Sequence, residues 1–224
     1  MKGPVIIVGR HGKMARTLAN CLSDQGETFK VYSAQKDQSD VADFVGAAGV
    51  IDFSLPEATP SLVAMAAQAK VPYVCGTTGW ASTEARQQIF REASKVIPIV
   101  WDSNFSLGIE ALSQMMEVIT RFKLPEIQIV DIHHSQKRDA PSGTALKLKE
   151  RGLQQNPHQK ITIESIRVGE VPGEHKILIS LKDETLELTH RALSRIPFAE
   201  GAIRALAWAQ NQKPGLYAMK DYLK

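Results

Sequence analysis

The sequence predicts an α/β protein: a doubly wound parallel sheet in the first half, followed by a smaller α+β domain with an open mixed sheet. Three observations carry this. Val5-Ile6-Ile7-Val8 is a continuous β-branched run that leads directly into a glycine turn and a helix. Strand and helix patterns then alternate up to Asn104, as right-handed crossovers require. After Asn104 the alternation stops, and four strand patterns crowd together with few helices between them.

In chain order, the first strand is followed by Gly9 to Ala15, and then by Met14, Leu18, Ala19 and Leu22 at helical spacing up to Gly26. Residues 28–32 form the second strand, which completes a βαβ unit of the kind that binds dinucleotides. A strand ends near Ser54, and Pro56 precedes a helix over about 57–69. Residues 71–75 read as a strand closed by Gly76-Thr77-Thr78-Gly79, 83–94 as a helix and 97–101 as a strand. A long amphipathic helix over 108–122 opens the second domain. Residues 126–133 alternate apolar and polar, the mark of a half-buried strand, and 161–168, 174–181 and 185–190 also read as strands. The stretch 152–159 reads as a polar loop and 198–209 as a last helix that returns to the first domain. The boundaries are therefore 1–104 for the nucleotide domain, 105–195 for the second domain, and 196–224 for a tail joining the first.

Bulk composition narrows the function. With 224 residues, 43% hydrophobic and 23% charged, the chain can bury a large core. A net charge of +3 without basic runs speaks against nucleic acid. No apolar run is long enough to span a bilayer, and the start lacks a secretory pattern, so a cytoplasmic location is expected. Cys21 and Cys75 are far apart and form no metal or redox pair, which suits buried thiols in a reducing compartment.

Two segments carry chemistry. In the first, Gly9 and Gly12 let backbone N–H groups face a pyrophosphate at a helix start, with Ala15 as the third small residue. A tight turn with no ligand is the rival reading, since His11 stands where a second glycine is common. No carboxylate follows the second strand before Asp37. Ser33 and Lys36 can instead accommodate a 2′-phosphate, which tilts the expected cofactor towards NADPH or dual use; a solvated lysine is equally consistent.

The second segment, Asp131 to Leu146, gathers His133, His134, Lys137, Arg138 and the helix start Ser142-Gly143-Thr144. An imidazole titrates near neutrality and can donate a proton; a lysine adds fixed positive charge. N–H groups at Ser142, Gly143 and Thr144, with the Thr144 hydroxyl, can grip a carboxylate. Asp139 can brace Lys137 or cap the helix, and His134 would face away from His133 if the strand stays regular. Arg167, His175, His190 and Arg191 can serve the sheet or an oligomer. A metal site is disfavoured, because adjacent histidines lack the i, i+4 spacing of H-E-x-x-H and no cysteine is near.

With these motifs laid out, the chain resembles the 4-hydroxy-tetrahydrodipicolinate reductases, also called dihydrodipicolinate reductases. The likeness runs through Gly9-Arg10-His11-Gly12-Lys13-Met14, Val50 to Pro56, Cys75 to Gly79, Asn104 to Gly108, and most specifically His133 to Ala145. It continues in Ser165 to Gly169, Gly173-Glu174-His175, His190-Arg191-Ala192, Phe198 to Ala202 and Gly215-Leu216-Tyr217. The resemblance implies a Rossmann-like domain, a second domain whose mixed sheet builds a homotetramer, and reduction of a cyclic dicarboxylate imine with NADH or NADPH. It implies that Gly9, Arg10, His11, Gly12, Lys13 and Met14 line the cofactor, together with Gly76, Thr77, Thr78, Asp102, Ser103, Asn104 and Phe105. It implies His133 and Lys137 as acids, and His134, Lys137, Gly143 and Thr144 at the substrate. The chain departs from the family pattern at Arg10, Lys13, Ala15 and Asp131, and is short between Leu146 and Ile161. Another amino- or keto-acid dehydrogenase, and an idle NAD(P)-binding redox sensor or scaffold, are the competing readings.

Overall fold

The computed structural model describes residues 1–9, 12–33, 40–122 and 124–223. In chain order the elements are β1 (Val5–Val8), α1 (Lys13–Asp24), β2 (Phe29–Tyr32), β3 (Gly49–Asp52), α2 (Thr59–Ala69), β4 (Tyr73–Cys75), α3 (Glu84–Ser94) and β5 (Pro98–Trp101). Then follow α4 (Leu107–Ile119), β6 (Ile127–His133), α5 (Gly143–Gln155), β7 (Ile161–Arg167), β8 (Glu174–Ser180) and β9 (Thr185–Arg191). The chain ends with α6 (Ile196–Ala209), β10 (Gly215–Tyr217) and α7 (Met219–Tyr222). By contact these fall into two units, Met1–Phe105 with Ile196–Lys224, and Ser106–Arg195. Among the described residues, no helix is long and apolar enough to cross a membrane.

The first unit is built on a six-stranded sheet of order β10-β5-β4-β3-β1-β2, in which every pairing is parallel. Because side chains alternate along a strand, Val5 and Ile7 join Ile51, Val74 and Val100 under α1 and α6. Ile6 and Val8 join Val50, Tyr73, Cys75 and Ile99 under α2 and α3. This two-sided burial is why β1 reads as an unbroken apolar run. α6 is accepted into the first core by small residues: Ala199, Ala202, Ala205 and Ala209 are all buried. A Cβ on Gly201 would lie 1.8 Å from the Phe105 carbonyl oxygen, so only glycine allows that approach. Both cysteines are buried and free. The strand β10 is absent from the sequence-level reading; its three residues are too few to show a period.

The second unit has a sheet of order β7-β6-β8-β9. β6 pairs parallel with β7 and antiparallel with β8, and β8 pairs antiparallel with β9, so the sheet is open and mixed. α4 and α5 cover one face, where Ile109, Leu112, Met116, Ile127, Ile129, Ile177 and Ile179 form the core. α4 ends at Ile119 and a tight 3₁₀ turn carries it to Phe122. One expectation is corrected: residues 152–155 are helical, not loop. Gly152 is no breaker here. A Cβ there would lie 2.7 Å from Ile161 Cδ1 and 2.9 Å from Met116 Cε, so the glycine permits close packing.

Candidate active site

In the first unit, the residues expected at a nucleotide follow the carboxyl ends of neighbouring parallel strands. Gly9 follows β1, Gly76, Thr77 and Thr78 follow β4, and Asp102, Ser103 and Asn104 follow β5. β1 lies between β2 and β3, so the chain crosses to opposite sides there, the place where open α/β sheets bind ligands. Gly9 has φ +121°, and a Cβ on it would meet the Phe53 carbonyl oxygen at 3.0 Å. Gly12 caps α1 without a side-chain hydrogen bond, and the first turn holds no acid. The leading N–H groups of α1 and its positive dipole end thus suit an anion such as a pyrophosphate. Lys13 and Met14 begin this helix, and Ser33 is buried just past β2. Arg10, His11 and Lys36 lie outside the described residues.

Two members of this set act mainly inside the protein. Asp102 accepts the Asn104 and Met219 backbone N–H groups, each at 3.2 Å. Phe105 is corrected as a cofactor-lining side chain. Its ring is buried in the core, edge-on to Phe53 with centroids 6.0 Å apart, because the apolar side chain gains more there than in a solvent-facing loop. A third buried group, Asp52, accepts from Ser54 N (2.8 Å), Thr59 Oγ1 (2.8 Å) and Tyr73 OH (2.7 Å).

In the second unit the chemistry gathers at the end of β6. Its burial alternates, so Ile127, Ile129, Asp131 and His133 all face the covered side. The apolar pattern therefore delivers a carboxylate and an imidazole into the same layer, two residues apart. His133 Nδ1 lies 2.8 Å from Asp131 Oδ1, and His175 Nε2, on β8, lies 3.4 Å from the same oxygen. The two imidazole rings meet edge-on, 5.2 Å apart. The other carboxylate oxygen accepts from Arg167 Nη2 (3.0 Å), Ser142 N (2.9 Å) and Ser165 Oγ (3.2 Å). Burial by itself would raise the Asp131 carboxyl, but His133, His175 and the Ser142 amide and hydroxyl outweigh it and hold the group well below the ordinary carboxylate range. Burial lowers His175, only partly offset by Asp131, and it also lowers His190, helped by the neighbouring His175.

The strand ends at His133, so its alternation does not extend to His134, whose carbonyl accepts the Lys137 N–H at 3.1 Å in a turn. Lys137 Nζ is held by Asp139 at 2.7 and 2.9 Å, so Asp139 braces the lysine and does not cap the helix. The cap of α5 is Ser142, whose hydroxyl accepts from Ala145 N. Its own N–H is given to Asp131, which corrects the expectation that this N–H serves a ligand; the carboxylate is a stronger, already buried acceptor. Gly143 and Thr144 occupy the first two helical positions. Of the residues left open by sequence, Arg167 and His175 belong to this cluster. His190 lies 3.2 Å from Ser106 Oγ, and Arg191 pairs with Glu174 on β8.

Asp131, His133 and His175 place their ligand atoms within 4.8 Å of one another, a grouping that could hold a metal ion and that the spacing of the histidines along the chain does not reveal. Arg167 already faces this carboxylate at 3.0 Å, and its fixed charge opposes a cation there. The residue that sequence reasoning missed is Asp131. The available signal was its place in the buried phase of β6, where an apolar residue would be expected.

Comparison with known proteins agrees with this architecture. The family model "Dihydrodipicolinate reductase, N-terminus" matches residues 3–105, and "Dihydrodipicolinate reductase, C-terminus" matches residues 108–223. The 4-hydroxy-tetrahydrodipicolinate reductase of Bdellovibrio bacteriovorus is 36% identical over 219 residues, covering 97% of this chain and 94% of that protein. The Thermosipho africanus enzyme of the same name is also 36% identical, covering 97% and 96%. A dipicolinate-bound dihydrodipicolinate reductase from Paenisporosarcina sp. TG-14 shares the fold, with a TM-score of 0.75 over 99% of both chains at 20% identity. The chain belongs to the dihydrodipicolinate reductase family.

Proposed function

We propose that this protein reduces 4-hydroxy-tetrahydrodipicolinate to tetrahydrodipicolinate with NADH or NADPH, in the diaminopimelate route to lysine. The observation that carries the reading is the buried Asp131–His133 contact at the end of β6, within one short segment of Lys137 and the amino end of α5, in a chain of this family.

Bound reduced nicotinamide would supply the hydride. Gly9, Gly12, Lys13 and Met14, with Gly76 to Thr78 and Asp102 to Asn104, would line that cofactor, with the leading N–H groups and dipole of α1 turned to its pyrophosphate. Replacing the substrate hydroxyl by hydrogen consumes one hydride and one proton and releases water. His133 is the proposed proton donor. With Nδ1 turned to Asp131, its Nε2 is the atom left to donate. Lys137 adds positive charge against the substrate carboxylates and the developing negative charge, steered by Asp139. His134, Gly143 and Thr144 are the proposed substrate contacts, the last two through the N–H groups of the first helical turn and Thr144 also through its hydroxyl. Ser142 supports them from below by capping α5. We place the enzyme in the cytoplasm as a homotetramer assembled through the mixed sheet, whose strand edges and uncovered face suit self-association.

The test is direct. Purified protein, enzymatically generated substrate and NADPH or NADH are mixed, and reduced-nicotinamide absorbance is followed. Loss of absorbance that depends on this substrate is expected. Normal nucleotide binding without turnover would favour an idle nucleotide-binding protein, and turnover confined to other keto acids a different dehydrogenase.

A further inference from the structure

We infer that Asp131 is the positioning residue of this site: one buried carboxylate orients the His133 imidazole, anchors the loop that carries Lys137 through Arg167, and ties down the amino end of α5 through the Ser142 amide. The inference rests on the function proposed above and deepens it.

The geometry divides the carboxylate into two sides. Oδ1 faces imidazoles, with His133 Nδ1 at 2.8 Å and His175 Nε2 at 3.4 Å. Oδ2 faces groups that can only donate or that do donate here: Arg167 Nη2, Ser142 N and Ser165 Oγ. Arg167 also reaches past Asp131 to the Asp139 carbonyl at 2.5 Å, and Asp139 in turn grips Lys137. Each functional part of the segment therefore connects to the same side chain. The 2.8 Å approach of Nδ1 to a carboxylate oxygen favours the neutral His133 tautomer with its proton on Nδ1, which keeps Nε2 as the exchanging nitrogen. When His133 becomes an imidazolium, the carboxylate stabilises its charge without taking the proton.

The sidedness makes Asp131→Asn a discriminating change. Three donors crowd the Oδ2 position, so the amide oxygen of asparagine must sit there. Its NH₂ then faces His133 Nδ1, which must become an acceptor. The proton moves to Nε2 in the neutral ring, and the charged ring loses its counter-ion. The ionisable groups around His133 are Asp131 on its own strand, His175 on β8 and Arg167 on β7, with His190 beyond His175 and Lys137 in the following loop. All except Asp131 are unchanged in the variant.

The experiment compares full-length wild type, Asp131→Asn and Asp131→Glu by steady-state kinetics across pH and by ring ¹⁵N NMR of His133. For Asp131→Asn, kcat is expected to fall about 10²- to 10⁴-fold, the range for a catalytic imidazole left in the wrong tautomer. The alkaline limb of the pH profile, set by loss of the proton that His133 must donate, should move to lower pH, KM for the dicarboxylate should rise, and NADPH affinity should stay the same. Asp131→Glu, which keeps the charge, should recover part of kcat and restore the profile. A folded Asp131→Asn protein with wild-type kcat and pH profile would overturn the inference. So would wild-type spectra showing the neutral His133 ring protonated at Nε2, a measurement that decides even if the asparagine variant fails to fold. If wild type itself does not turn over this substrate, the proposed function fails while the tautomer measurement still judges the role of Asp131.

Discussion

Asp52 and Asp131 are both completely buried, each near the carboxyl end of a strand, yet they do different work. Asp52, in the first unit, is surrounded by neutral donors: the Ser54 amide and the Thr59 and Tyr73 hydroxyls. It pins β3 to the start of α2 and to β4. Asp131, in the second unit, is surrounded by two imidazoles and a guanidinium. A buried carboxylate with neutral partners can only hold structure. One with titratable partners also decides where protons reside. The same contrast separates the two units as a whole. The first offers glycines, backbone N–H groups and a helix end, which suit a cofactor that brings its own chemistry. The second offers imidazoles and a lysine, which suit proton transfer.

The sharpest way to break this comparison is at His133. His133→Gln should lower kcat about 10²- to 10⁴-fold, and NADPH affinity measured by fluorescence titration should be nearly unchanged. Unchanged turnover would remove this imidazole from the chemistry. The opposite behaviour is expected at Asp52. Asp52→Asn puts an amide NH₂ where one carboxylate oxygen accepts, which disturbs the buried Thr59 and Tyr73 hydrogen bonds, and denaturant unfolding should show a loss of about 1–3 kcal/mol. Turnover per folded molecule should stay within about twofold; a collapse of kcat in a stable variant would show that Asp52 is more than scaffold.

Within the second unit, Thr144→Val should raise KM for the substrate by up to about tenfold, the worth of one net hydrogen bond, with little change in kcat. An effect confined to kcat would argue against a gripping role. The smallest effect concerns acid. Asp131 and His175 both sit below their ordinary values of 3.8 and 6.5 when folded. The unfolded chain therefore binds more protons as pH falls. The stability tied to His175 is complete above about 6.5 and declines as pH drops towards its folded value; that tied to Asp131 is lost only in stronger acid. Thermal melts from pH 7 to pH 5 should show this decline in wild type and a flatter curve in His175→Gln. An equal slope in both would place the sensitivity elsewhere.

Much of the fold was legible because local patterns and tertiary structure agree. Val5 to Val8 is buried on both faces and looks it; Ser142 and Thr83 cap the helices that their residue types announce. The misses have identifiable causes. The stretch from Gly152 reads as loop because sequence shows its polar residues but not the Ile161 and Met116 atoms that pack closely against the glycine. β10 is three residues long and exists only because β5 offers it an edge. Phe105 belongs to a core partly contributed by α6, some ninety residues later in the chain.

The amino-acid sequence alone determined the strand and helix order, the glycine turn after β1, and the segment in which His133, Lys137 and the start of α5 occur together. These follow from periodicity, capping and backbone freedom, which act over a few residues. Only the tertiary structure decided the partners of Asp131, because β6, β7, β8 and the cap of α5 must assemble before His133, Arg167, His175 and Ser142 can share one carboxylate. Charges removed from water require compensation within a few ångströms, and contacts between strands distant in sequence supply it.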